Sequence, residues 1–222
     1  GLSEEFPCEE SRYKHIVENM LYVGELQPKN MFLFLCAFDP KDEYDLNVYT
    51  GSFLDGEFDA HMTDVWGVEK FDLLVMNPPY NMLWDKFVNK IIASTLKHSG
   101  FLVFVHPSSW RGIASSFDKT QKTLLSKEIL YLETHSYKDG LKTFGAGTDY
   151  DFYCLKNKDV KNSFKTIIKS NDGTVSKVEI SKLNFIPSGN IVDILKLVAN
   201  EDEERVEVLY HSRKYDVRKP YV

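Results

Sequence analysis

Apolar residues recur with two different periods along this chain. In residues 10–21 (ESRYKHIVENML), Tyr13, Ile16, Val17, Met20 and Leu21 share one face at helical spacing. LYVGEL follows as a short strand. Pro28 then opens a second helix, PKNMFLFLCAF, at a first-turn position where its missing N–H does no harm. After the polar stretch DPKDEYD, LNVYTGSFLD reads as another short strand, and residues 55–70 read as an acidic loop. The unbroken apolar run FDLLVM at 71–76 suits a strand buried on both faces. Beyond it, Leu83, Phe87 and Ile91, together with Trp84, Val88 and Ile92, repeat every four residues and predict a helix. Gly100 is expected to stop that helix ahead of the strand HSGFLVFVHP. Alternating strands and helices imply right-handed crossovers and a parallel sheet.

The second half changes character. ILYLETHS, DYDFYCLKN, FKTIIKS and TVSKVEI read as strands, with helices expected only around 116–127 and 190–199. SNDG at 170–173 has the composition of a turn between two strands, and FGAG at 144–147 precedes a strand, so it too reads as a hairpin turn. The pattern predicts an α/β fold: a mostly parallel sheet with antiparallel edge strands, then a small β-rich C-terminal extension. Residues 1–160 would form the core and 161–222 the extension.

Composition narrows the field. With 222 residues, 43% of them hydrophobic, the chain can bury a full core, and no apolar stretch approaches the length of a membrane span. No membrane partner is expected. Three widely spaced cysteines without a metal-binding pattern fit a reducing, cytoplasmic compartment and no metal site. The N-terminus, GLSEEFPCEES, lacks the basic-then-apolar plan of a secretory signal. A net charge of −6 counts against a general nucleic-acid binder, although clusters such as Lys119, Lys122 and Lys127 leave room for a locally positive face.

The sharpest local signal is the end of the 71–76 run, where the chain reads Asn77-Pro78-Pro79-Tyr80. Two prolines fix φ and withhold two backbone donors, so the ladder must stop and the corner is stiff. An amide side chain stands just before that corner and an aromatic ring just after it. Such a corner holds a hydrogen-bond acceptor and a flat apolar face in fixed relation, the geometry needed to grip a planar group carrying an NH2.

These residues resemble the S-adenosylmethionine-dependent N6-adenine DNA methyltransferases, in particular the gamma-type enzymes and the fused restriction–modification proteins. HIVENMLYVGELQPKNMFLF is similar to the family's segment ending in a ribose-binding acid, LNVYTGSFLD to its next strand end, and FDLLVMNPPYN to its catalytic strand and loop. GFLVFVHPSSW and FGAGTDYDFYCLKN follow in the family's order, so the likeness covers residues 12–157. It implies a Rossmann-like class I methyltransferase core and S-adenosyl-L-methionine as cofactor, with double-stranded DNA as partner. Asn77, Pro78, Pro79 and Tyr80 would be catalytic; Glu25, Ser52 and Phe53 would hold the cofactor. Tyr80, Trp110 and Phe144 would line the pocket for a base turned out of the duplex.

The pattern departs from the family in two places. The glycine-rich first motif, with the strand that carries it, is absent from these residues, and the family's order places it just before Gly1. An upstream segment or another chain would have to supply it. Ser52 stands where the family usually has an aspartate. Two alternatives therefore accompany an adenine methyltransferase within a larger restriction–modification protein: a protein-glutamine or RNA methyltransferase that also uses NPPY, and a non-catalytic, methyltransferase-like nucleic-acid-binding module.

Overall fold

The computed structural model describes residues 1–112, 116–195 and 197. After a short helix α1 (Leu2–Glu5), the first half alternates helix and strand: α2 (Glu9–Asn19), β1 (Tyr22–Glu25), α3 (Pro28–Phe38), β2 (Asn47–Thr50), α4 (Gly56–Asp64) and β3 (Phe71–Met76). Helix α5 (Trp84–Lys90) passes through a π turn (Ile91–Thr95) into β4 (Leu96–Pro107). A 3-10 turn (Ser108–Arg111) and α6 (Asp118–Leu125) lead to β5 (Lys127–His135), then α7 (Tyr137–Phe144) and β6 (Tyr150–Asp159). The chain continues through β7 (Thr166–Lys169), β8 (Val175–Val178) and α8 (Ile191–Leu195).

The strands form two sheets. β1 and β2 make a parallel pair, and the other six lie in the order β3-β4-β6-β5-β7-β8. Within the larger sheet β3, β4, β5 and β7 run in one direction, while β6 and β8 run against them. The fold is therefore mixed α/β, as the sequence predicts. The antiparallel strand β6 is interior rather than at an edge, because it sits between β4 and β5. β7 and β8 extend this same sheet, joined at Ser170–Thr174 by the turn expected there, in which the Gly173 N–H bonds to the Ser170 carbonyl at 2.8 Å. The helix expected around 190–199 is seen as α8 over Ile191–Leu195; residue 196 and everything from residue 198 onward lie outside the described residues.

One face of the larger sheet carries the main core. Leu102 pairs with Leu155 and Phe104 with Tyr153 across β4 and β6; Ile129 and Leu132 of β5 oppose the same two β6 residues. Trp84, Val88 and Ile91 from α5 and its π turn, with Leu124 from α6, pack onto that layer, all of them nearly or fully buried. Burying each such side chain stabilises by roughly 1.5–3 kcal/mol. Helix α4 joins the same core through Phe58 and Met62.

Several sequence expectations are corrected. Residues 56–64 form α4 instead of a loop; Phe58 and Met62, four residues apart, are its buried contacts. Gly100 lies inside β4, where a Cβ would come within 3.0 Å of the Asp72 carbonyl, so glycine serves close strand approach and the helix ends at the π turn. β3 is not buried on both faces: it is the last strand of its sheet, and Leu73 and Val75 are exposed. FGAG is the end of α7, with Gly145 as a left-handed C-cap, rather than a hairpin turn.

After α7 the chain folds back so tightly that glycine is obligatory at Gly140, where a Cβ would sit 2.1 Å from the Thr148 carbonyl oxygen. Gly140→Ala is expected to lower unfolding free energy by about 2 kcal/mol through overpacking, despite alanine's better helix propensity, as read from the urea midpoint.

Candidate active site

β3 ends where its sequence must end it. The Pro78 and Pro79 nitrogens have no hydrogen to donate, and the chain turns through Tyr80, whose carbonyl accepts from the Met82 N–H at 3.0 Å, with Met82 itself at φ 63°. Pro78 is buried and anchors the corner, whereas Asn77 and Pro79 are exposed. Neither the Asn77 carboxamide nor the Pro78 carbonyl enters a hydrogen bond among the described residues. Two oxygen acceptors at adjacent positions are thus left available at the end of a strand.

Tyr80 is half-buried and meets Phe144 edge to face, with ring centroids 5.7 Å apart. Phe144 meets Tyr150 at 4.9 Å, and Tyr150 stacks on His135 at 4.3 Å. Burial, and secondarily Tyr150, push the Tyr80 phenol up to about 12, so it stays neutral; its buried oxygen has no hydrogen-bond partner. Phe144 is placed by α7. Ser136 and Asp139 cap that helix reciprocally: the Asp139 carboxylate accepts from the Ser136 N–H at 2.8 Å, and the Ser136 hydroxyl accepts from the Asp139 N–H at 3.4 Å.

Behind this surface lies a buried polar network. Asp151, fully buried at the start of β6, accepts from the Trp110 indole N–H at 2.7 Å and from the Arg111 Nε at 2.8 Å. The other guanidinium nitrogens of Arg111 donate to the Ile186 carbonyl and the Ser188 hydroxyl. Burial pushes the Asp151 carboxyl up to about 6, against the pull of Arg111 and Trp110. His106 stacks on Trp84 at 4.2 Å and contacts the Pro107 carbonyl and the Tyr153 hydroxyl. Its burial drives the imidazole down to about 3. A cleft of about 450 Å³ opens beside Ser108, Arg111, Phe185 and Ser188. Arg111, the one cation among its described lining residues, is already committed to Asp151.

The other predicted residues fall into two groups. Glu25 and Ser52 come together where β1 and β2 end, because the Gly51 N–H bonds to the Glu25 carbonyl at 3.0 Å. One oxygen of the Glu25 carboxylate accepts from the Gln27 N–H, and the Ser52 hydroxyl accepts from the Leu54 N–H. Phe53 and Trp110 are not brought to an open surface. Phe53 is buried, stacked on Phe87 at 5.2 Å and in contact with Phe58. Trp110 is fully enclosed and serves the Asp151 network. Lys90 fixes the loop after β2, its Nζ donating to the Phe53 carbonyl and pairing with Asp59, both at 2.7 Å. No hydrogen bond or ring contact among the described residues joins Glu25 and Ser52 to Asn77 and Tyr80.

Sequence reasoning did not assign Tyr150, His135, Arg111 or Asp151 to the site. The signal for α7 was present: Ser136 and Asp139 at capping spacing, then Tyr137, Leu141 and Phe144 at helical spacing. For Arg111 and Asp151, forty residues apart, no local pattern exists.

No family model matches this chain, and no curated protein matches it. Solved structures do. The chain is similar to the M protein of the type I restriction enzyme EcoKI, with a TM-score of 0.52 and 14% identity over 75% of this chain and 38% of that one. A modification subunit from Vibrio vulnificus YJ016, described as part of a type I restriction enzyme, gives a TM-score of 0.52 at 10% identity over 75% and 38%. A component of a type I restriction–modification system gives 0.51 at 15% over 66% and 32%. The chain therefore shares the fold of modification subunits of type I restriction enzymes, while spanning 38% of their length.

Two outcomes are expected at this site. Tyr80→Phe removes a buried hydroxyl that has no partner, so thermal unfolding is expected to show stability unchanged or raised by up to about 1 kcal/mol. His106 acts in the opposite sense to a protonated partner. Its folded value lies below the unfolded one, so the stability it contributes is complete above about pH 6.5 and is lost as pH falls toward 3. Urea midpoints measured between pH 7 and pH 4.5 should fall, and His106→Phe should flatten that slope.

Proposed function

We propose that this chain is the catalytic part of an S-adenosylmethionine-dependent methyltransferase that modifies the N6 amine of adenine in double-stranded DNA, within a larger restriction–modification protein. One observation carries the proposal: at a rigid corner ending β3, neither the Asn77 carboxamide nor the Pro78 carbonyl is hydrogen-bonded among the described residues, and Tyr80, which follows in sequence, meets Phe144 edge to face. The fold shared with modification subunits of type I restriction enzymes supports it.

The chemistry follows from these groups. The exocyclic amine of adenine is a weak nucleophile because its lone pair is delocalised into the ring. Accepting its two hydrogens on the Asn77 side-chain oxygen and the Pro78 carbonyl draws the nitrogen toward a tetrahedral shape and frees the pair. Fixed acceptors of this kind are worth about 3 kcal/mol of barrier. Tyr80 and Phe144 offer aromatic surface to a base turned out of the duplex, each stacking contact worth roughly 1–3 kcal/mol. No strong general base is needed for the transfer step.

When bound, S-adenosylmethionine supplies an electrophilic methyl carbon. Glu25, with one carboxylate oxygen not engaged by Gln27, fits the ribose hydroxyls, and Ser52 stands beside it. Phe53 fits less well as a stacking partner for the cofactor's base, since Phe87 lies nearly parallel to its ring at an interplanar angle of 13°. Residues 1–160 would form this catalytic core, and residues 161–222 would begin a target-recognition region.

Asn77→Ala in the complete protein should lower methylation of duplex DNA by roughly 100- to 1,000-fold while leaving cofactor affinity nearly unchanged. Full activity in that variant would overturn the assignment.

A further inference from the structure

Most of α7 faces outward: Gly140 is its one buried residue. Tyr137, Leu141 and Phe144 share a face at helical spacing and are 56%, 47% and 39% exposed, and none of them belongs to the hydrophobic core. The two ends of this stripe are held in place. The Tyr137 ring lies over Gly147, where a Cβ would come within 2.1 Å of it, and Phe144 rests on Tyr80 and Tyr150. Leu141 stands between them. Lys138 and Lys142 flank the stripe; both are exposed and neither forms an ion pair among the described residues. Asp139, the one acid on α7, is turned to the helix cap, where it accepts from the Ser136 N–H and hydroxyl.

An exposed apolar stripe marks an interaction site, and unpaired cations beside it call for a partner that is anionic outside and apolar within. The position of α7 selects duplex DNA as that partner. α7 begins where β5 ends, and β5 runs the same way as β3, so the helix stands at the end of the sheet that carries Asn77. Its last residue, Phe144, touches Tyr80 of the proline corner. From there the stripe leads away from the corner, with Leu141 one turn back at a Cβ spacing of about 5–6 Å. A base turned out of a duplex leaves a hole in the stack, and the lost stacking opposes the flip. Apolar side chains inserted between base steps fill spaces of this kind.

We propose that α7 is the element that enters the duplex: Leu141 fills the space vacated by the flipped base, and Lys138 and Lys142 neutralise two phosphates beside it. This rests on the DNA reading of the Asn77 corner, but it assigns residues that methyl transfer itself does not use.

Fluorescence anisotropy with the complete protein tests it, on two labelled duplexes of the same mixed sequence, one intact and one carrying a single abasic site. The abasic duplex already contains the hole, so the unsubstituted protein should bind it roughly tenfold more tightly than the intact one. Leu141→Ala should abolish that preference, and Leu141→Met, which keeps an apolar wedge, should retain it. Lys138→Ala combined with Lys142→Ala should weaken binding to both duplexes alike and reduce the slope of log affinity against log salt by about 2. Lys161→Ala combined with Lys165→Ala, at exposed positions beyond β6 at the far end of the sheet, should leave that slope unchanged. No binding to either duplex, equal affinity for the two, a preference that survives Leu141→Ala, or a slope that falls as much in the far-end pair would each overturn the proposal. So would self-association, seen by sedimentation without DNA and lost in Leu141→Ala, which would assign the stripe to a second copy. Methylation is read separately. A protein that wedges the duplex but never methylates adenine keeps this surface and loses the proposed function; one that methylates DNA while every variant binds like the unsubstituted protein keeps the function and loses the surface.

Discussion

Two consecutive prolines are the constraint on which the candidate site depends. Two non-proline residues at positions 78 and 79 would bring two N–H groups that need partners. A loop satisfying them would fold its own acceptors inward. With Pro78 buried as the anchor and no donors to satisfy, the corner leaves the Asn77 side-chain oxygen and the Pro78 carbonyl available. The stiffness that ends β3 fixes the backbone that carries both acceptors.

The surroundings of that corner are built to keep it still. The Trp84 ring, four residues after Tyr80, is clamped between His106 and Phe117. The turn after β4 is held by Trp110 and Arg111 on Asp151, and by a mutual pairing in which Ile186 N–H binds the Arg111 carbonyl. Breaking a buried pair such as Arg111–Asp151 leaves one charge without compensation, a cost of about 3–5 kcal/mol. Tyr80 in turn rests on Phe144, which α7 delivers only because Gly140 lets the following loop close over it.

Much of this was legible in the sequence because local rules govern it. Helices α2, α3, α5 and α6 follow from apolar spacing, and the end of β3 from its prolines. What was missed depends on distant partners. FDLLVM has the composition of an enclosed strand, yet among the described residues β3 pairs only with β4, and Leu73 and Val75 stay exposed. Phe53 and Trp110 look like ligand-facing aromatics at strand ends, but Phe87 and Asp151 claim them, from 34 and 41 residues away. Helix α7 was hidden by glycines that signal a turn, although Gly140 serves close packing and only Gly145 caps the helix.

The proposed function makes a planar amine, that of adenine in DNA, the group that the acceptors at Asn77 and Pro78 engage. The most direct measurement is mass spectrometry of nucleosides from the DNA of cells expressing the complete protein, against cells lacking it. The account predicts N6-methyladenine that appears only with the protein. DNA without that nucleoside, alongside newly methylated glutamine in cellular protein or methylated bases in RNA, would contradict it.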